Sequence, residues 1–175
     1  MEVSLIREKF EKLYDAESDA VFRYCLTRTS SRETALDLTQ DTFFRLWNSL
    51  VSGKQPENER AFLFTISRNL VIDWYRAKKT LSLDKMMTNS NDEESDGESF
   101  FAHDGKGDLE MEADARLLVG KIKLLKPMYQ QVVYLRYVEE MKPSEIAEIV
   151  GESPNTVSVR INRGMEELKK IYDGK

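Results

Sequence analysis

Pro143-Ser144-Glu145-Ile146-Ala147-Glu148-Ile149-Val150, then Gly151-Glu152-Ser153, then Pro154-Asn155-Thr156-Val157-Ser158-Val159-Arg160-Ile161-Asn162-Arg163 is the stretch on which the fold turns. Its spacing is that of a helix-turn-helix. Ile146, Ala147 and Val150 recur at helical intervals and pack the first helix, and Ala147 is small enough to let a second helix cross closely. Gly151 permits the tight turn, Ser153 can cap, and Pro154 suits a first helical position. Val157 and Ile161 bury the second helix from its inner side. That leaves Asn155, Thr156, Ser158, Arg160, Asn162 and Arg163 with polar reach outward. Such a face fits a major groove, where Asn and Arg can pair with base edges and Arg160 or Lys169 can hold phosphates. A solvated helical hairpin is the plainer reading of the same pattern.

Working outward, the segment 113–175 divides into four helices, Ala113 to Leu125, Pro127 to Val138, Pro143 to Val150 and Pro154 to Tyr172, punctuated by Pro, Gly or short polar turns. On the far side of the chain, apolar residues again recur at three and four rather than in alternation, so no strand is expected. Helices are read at Leu5 to Tyr14, with Leu5, Ile6, Phe10, Leu13 and Tyr14 inward, and at Asp19 to Thr27. A third, capped by Ser30 or Ser31, runs to Leu50 with Leu36, Phe43, Leu46, Trp47 and Leu50 inward. A fourth covers Ala61 to Lys79.

Between the flanks the composition changes. The chain has 175 residues and a formal net charge of −5. Residues 1–80 hold 13 basic and 12 acidic side chains, residues 81–116 hold 3 and 11, and residues 117–175 hold 10 and 8. The net acidity is therefore confined to the middle, a polar, Gly-bearing stretch that includes Asp92, Glu93, Glu94, Asp96 and Glu98. It reads as a flexible linker. The expected architecture is all-α: a helical domain 1–80, an acidic linker 81–112 and a second helical domain 113–175. An acidic whole-chain average would argue against a nucleic-acid binder, but the average describes the linker.

Two further surfaces carry chemistry. Asp37, Gln40, Asp41, Phe44 and Asn48 fall on one stripe of the third helix, opposite its core stripe. The stripe fits either a docking surface for a basic partner or a solvated face with Phe44 tucked into the core edge. The fourth helix holds Arg68 and Asn69 and closes on Asp73, Trp74, Tyr75, Arg76, Lys78 and Lys79. Rings beside cations suit single-stranded nucleic acid, since bases stack on the rings and Lys and Arg follow phosphates. A Trp-Tyr pair can equally be core, and a basic last turn also suits the helix dipole.

Enzyme chemistry finds little support. One histidine, His103 in the linker, and one cysteine, Cys25 on an amphipathic helix, leave too few ligands for a Cys/His metal cluster and no intrachain disulfide. No P-loop or Gly-rich fingerprint occurs, and no cofactor is expected. The N-terminus has no apolar signal region and no stretch reaches the length of a membrane span, so a cytoplasmic protein without membrane insertion is expected.

Asp37 to Trp47, Arg60 to Arg76, the acidic linker, Leu125 to Tyr137 and the helix-turn-helix occur in an order and spacing that resemble the extracytoplasmic-function sigma factors of bacteria. The resemblance covers both flanks. It implies that the first domain corresponds to sigma region 2 and the second to region 4, in a factor that binds core RNA polymerase, directs it to promoters and helps melt them. It implies that Asp37, Gln40, Asp41 and Phe44, with Asn48 on the same stripe, grip the polymerase's β′ subunit. The loop Gly53 to Arg60 and Asn69 would take a flipped base of the minus-10 element, with Arg68, Trp74, Arg76, Lys78 and Lys79 along the melted strand. Ser158, Asn162 and Arg163 would face bases of the minus-35 element beside Asn155 and Thr156, with Arg160 on a phosphate. Partners implied are core polymerase through β and β′, promoter DNA and an anti-sigma factor. The other reading is a stand-alone helix-turn-helix regulator that binds operator DNA without polymerase.

Overall fold

The computed structural model describes residues 3–85, 100 and 113–174, and the expected linker otherwise lies outside them. Among the described residues every regular element is a helix: α1 (Val3–Thr29), α2 (Arg32–Val51), α3 (Glu59–Lys85), α4 (Ala113–Ile122), α5 (Pro127–Tyr137), α6 (Pro143–Val150) and α7 (Pro154–Tyr172).

The two helices expected between Leu5 and Thr27 are one continuous α1. Asp15, Ala16, Glu17 and Ser18 interrupt the apolar rhythm, yet none of them is a Pro or Gly, so nothing stops the backbone ladder there. The uninterrupted helix also corrects two inward assignments, because Leu5 and Tyr14 are largely exposed, as is Leu36 on α2. Ser30, at φ 52, breaks the chain direction after α1. Ser31 then caps α2, its Oγ accepting the Thr34 N–H at 3.2 Å.

Helices α1, α2 and α3 close around Val21, Tyr24, Cys25, Leu46, Leu50, Leu63 and Phe64, all essentially without solvent contact. Helices α4 to α7 close around Ile122, Val133, Leu135, Met141, Ile146, Ile149 and Val157. Gly164 sets the spacing of the second bundle. A Cβ at that position would stand 2.7 Å from Val133 Cγ2 and 3.1 Å from Tyr129 Cβ, so α7 lies against α5 at a distance only glycine allows.

The two bundles are joined. Helix α6 packs on α3, and Tyr24 of α1 meets Tyr134 of α5 at a ring-centroid distance of 6.4 Å. Polar groups cross the same seam: Arg23 Nη2 donates to Glu139 Oε2 at 3.0 Å, and Gln131 Nε2 donates to the Tyr24 hydroxyl at 3.3 Å.

Candidate nucleic-acid and polymerase interfaces

The helix-turn-helix is built as its spacing implies. Gly151 takes a left-handed conformation, φ 73 and ψ 34, and ends α6. Both its N–H and that of Glu152 donate to the Ala147 carbonyl, at 2.9 and 3.1 Å. Two residues on, Ser153 Oγ accepts the Thr156 N–H at 3.1 Å and starts α7. Val157 and Ile161 are buried, which turns the opposite side of α7 to solvent.

The outward residues of α7 are not equivalent. Asn155, Asn162 and Arg163 are exposed. Thr156 is exposed too, but its Oγ1 lies 2.8 Å from Ser153 Oγ and belongs to the cap. Ser158 donates back to the Pro154 carbonyl at 2.9 Å, so its hydroxyl is turned onto its own helix. Arg160 Nη1 lies 2.7 Å from Glu152 Oε1, tying the expected phosphate contact to the turn. The second oxygen, Glu152 Oε2, is buried and has no hydrogen-bond partner.

On α2, Asp37, Gln40, Asp41, Phe44 and Asn48 are all exposed. Phe44 stands 65% exposed and is not tucked into the core edge.

A cavity of about 380 Å³ lies between the second half of α2 and the first half of α3. Phe62 and Ile66 give it apolar walls, Asn48, Ser49, Thr65 and Asn69 bring amides and hydroxyls, and Arg45 and Lys54 bring cations. The lining thus combines an apolar wall from α3 with donors, acceptors and cations around it. Asn69 and the Gly53–Arg60 loop, represented by Lys54, are the lining residues that the sequence reading anticipates. Asn48 joins them from the α2 stripe. Arg45, Ser49, Phe62, Thr65 and Ile66 escape that reading, although Phe62, Ile66 and Asn69 fall at i, i+4 and i+7 on one face of α3, a spacing that could have pointed to them.

Other expected minus-10 residues are spread along α3. Arg60 points away from the cavity and binds Glu17 of α1, Nε to Oε2 at 2.9 Å, with both side chains partly buried. Trp74 is half-buried, its ring 4.9 Å from that of Tyr75, and Lys78 Nζ lies 5.2 Å from the Trp74 ring centroid. The Tyr75 hydroxyl donates to the Arg28 carbonyl, which fixes Tyr75 to α1. Arg68 is half-buried, while Arg76, Lys78 and Lys79 form an exposed basic stretch, beyond which α3 runs on to Lys85, past the expected helix end at Lys79 and into the expected linker.

A helix-turn-helix unit lies on the same helical chain as an exposed acidic and aromatic stripe and a polar-edged cavity, the pattern of a DNA-binding protein. Residues 13–80 match the family Sigma-70 region 2, and residues 116–168 match Sigma-70, region 4. The RNA polymerase sigma factor YlaC of Bacillus subtilis is 32% identical over 165 residues, covering 94% of this chain and 92% of that protein. The ECF RNA polymerase sigma factor SigW of the same organism is 27% identical over 171 residues, covering 94% and 89%. The fold is shared with the sigma factor RpoE in its complex with the anti-sigma factor NepR from Bartonella quintana, at TM-score 0.64 and 21% identity over 95% of this chain and 98% of that one. This chain belongs to the extracytoplasmic-function RNA polymerase sigma factors, which direct RNA polymerase to promoters. Among the described residues no helix is long and apolar enough to cross a membrane.

Proposed function

We propose that the two bundles divide the work of promoter recognition, 1–80 taking the polymerase and the minus-10 element and 113–175 taking the minus-35 element, with 81–112 as the connection. Exposure of Phe44 within the Asp37, Gln40, Asp41 and Asn48 stripe is the observation that carries the polymerase half. A ring in water between carboxylates suits a basic partner such as a β′ helix of core polymerase. The cavity of Asn48, Phe62 and Asn69 takes one flipped base, and Trp74, Arg76, Lys78 and Lys79 continue along the opened strand, with Arg68 at their near end. Asn162 and Arg163 read bases of the upstream element, with Asn155 at the helix start. Arg160 reaches a phosphate once it leaves Glu152, whereas Ser158 and Thr156 support the backbone of α7. Arg60 braces α3 through Glu17 and so positions the loop rather than the DNA.

The protein acts as an initiation factor without chemistry of its own, works in the cytoplasm, and is held by an anti-sigma factor that covers the same surfaces. Charge agrees with dependence on polymerase: the first flank holds 13 basic against 12 acidic residues, which leaves few net cations to release counterions from duplex DNA. Run-off transcription with core polymerase on genomic fragments tests the proposal. A discrete transcript set is expected. Replacing Asn162 and Arg163 with Ala should remove promoter-specific products, each contact being worth about 1 to 3 kcal/mol. Tight palindromic binding by the chain alone, with no stimulation of polymerase, would instead establish a stand-alone regulator.

A further inference from the structure

The polar lining of the cavity between α2 and α3 is unbalanced. Arg45 and Asn48 stand one turn apart on α2, Thr65 and Asn69 one turn apart on α3, and Lys54 enters from the loop between the two helices. The Arg45 guanidinium and the Lys54 ammonium can only donate hydrogen bonds, and no carboxylate lines the cavity among the described residues. Neither cation is spent elsewhere. Although Asp41 precedes Arg45 by one helical turn, the side chains of Arg45 and Lys54 have no hydrogen-bond or ion-pair partner among the described residues. The Thr65 hydroxyl is committed, donating to the Ala61 carbonyl at 2.8 Å, which leaves its Oγ1 with lone pairs only. The Asn48 and Asn69 amides both donate and accept, so they suit a ligand of either kind.

A base entering this cavity meets uncommitted donors and has to answer them with acceptors. Guanine and thymine carry a keto oxygen where adenine and cytosine carry an amino group. An amino group would set donor against donor and leave both without a partner. A keto base brings its O6 or O4 to the cation and, beside that oxygen, an imino N–H that Thr65 Oγ1 or an Asn carbonyl can accept. The two cations differ in what they can recognise. Arg45 stands on a helix, and its planar fork makes two parallel bonds to a base edge; Lys54, on the loop, is a point charge suited to a phosphate.

We propose, resting on the cavity as the seat of one flipped minus-10 base, that it selects a keto base, guanine or thymine, over an amino base. Arg45 reads the keto oxygen and Lys54 holds the adjoining phosphate. Phosphate contacts carry no sequence information and base contacts do, so the two roles separate in an experiment.

The test uses holoenzyme assembled from the full chain and core polymerase on a promoter recovered by run-off transcription. Each of the four bases is placed in turn at every non-template position of its minus-10 element. Asn69→Ala and Phe62→Ala locate the position that the cavity reads, as the one where preference among bases collapses. There the parent should favour guanine or thymine over both adenine and cytosine about tenfold in transcript yield. Arg45→Ala should level that preference and leave those at the other positions in place, and Arg45→Lys should restore only part of it. Lys54→Ala should lower the yield equally for all four bases. Arg45, Lys54 and Asn69 are exposed, so truncating them spares the fold. A preference for adenine or cytosine at the located position, or an equal loss across all four bases in Arg45→Ala, would overturn the choice of base while leaving the cavity a base site. If neither Asn69→Ala nor Phe62→Ala alters preference at any position, the cavity takes no base, and the role proposed for it above falls together with the selection of a keto base.

Discussion

Gly164 shows how much one missing methyl can hold. Its Cα hydrogen faces Val133, a fully buried branched side chain on α5 that cannot swing aside. Gly164→Ala should therefore lower the stability of the second bundle by about 1 to 3 kcal/mol through overpacking, despite the better helix propensity of Ala, and a thermal melt reads this directly. Burial acts differently on Cys25 and Tyr24. It pushes both the Cys25 thiol and the Tyr24 hydroxyl up to about 12, from ordinary values of 9.0 and 10.0. Both groups stay protonated in the fold while the unfolded chain ionises them earlier. Their stabilisation is complete below pH 9 and is lost as pH rises toward about 12. Melting temperature should fall through that interval, and Cys25→Ala should lose the thiol's share of the decline. In the folded protein at neutral pH, Cys25 should resist alkylation.

At the scale of the element, α2 is a helix with two assignments. One face places Leu38, Phe43, Leu46 and Leu50 in the core, and the other presents Asp37, Gln40, Asp41, Phe44 and Asn48 to solvent. Because the second face supports no packing, Phe44→Ala and Asp41→Ala should leave the melting temperature within a degree or so and still weaken capture by core polymerase about tenfold or more. A pull-down with purified core enzyme reads the second effect and calorimetry the first. Helix α7 carries the opposite lesson. Its inner residues are visible from spacing, and so are its outer ones, but Ser158 and Arg160 spend their polar groups on Pro154 and Glu152. Spacing reports which side of a helix faces water; it does not report which hydrogen bonds the side chains there have already made.

For the whole molecule, the contact that matters most is between bundles. Burial works against ionisation of Glu145, but the Lys142 N–H and the Asn58 amide, with Arg60 and Lys142 as nearby cations, outweigh it and hold its carboxyl below the ordinary 4.5. A depressed value of this kind contributes above the ordinary carboxylate range and is lost as pH falls through the lower folded value. Acidification below 4.5 should accordingly lower the melting temperature, and Glu145→Gln should show a flatter response over the same range than the parent.

Most helix positions, the Ser31 and Ser153 caps, the turn at Gly151 and the division of α7 into dry and wet faces were legible in the chain, because each depends on residues within about one or two turns of each other. The single long α1 was not, since a polar interruption without Pro or Gly looks like a loop in sequence although it leaves the backbone ladder intact. Nor was the cavity, whose walls come from two helices, or the seat of Phe100. Arg23 and Glu139 are separated by 116 residues, and Phe100 reaches Gln130 across 30. Pairings over such distances leave no periodic mark in a sequence, and only the assembled core chooses among the partners that local chemistry would permit.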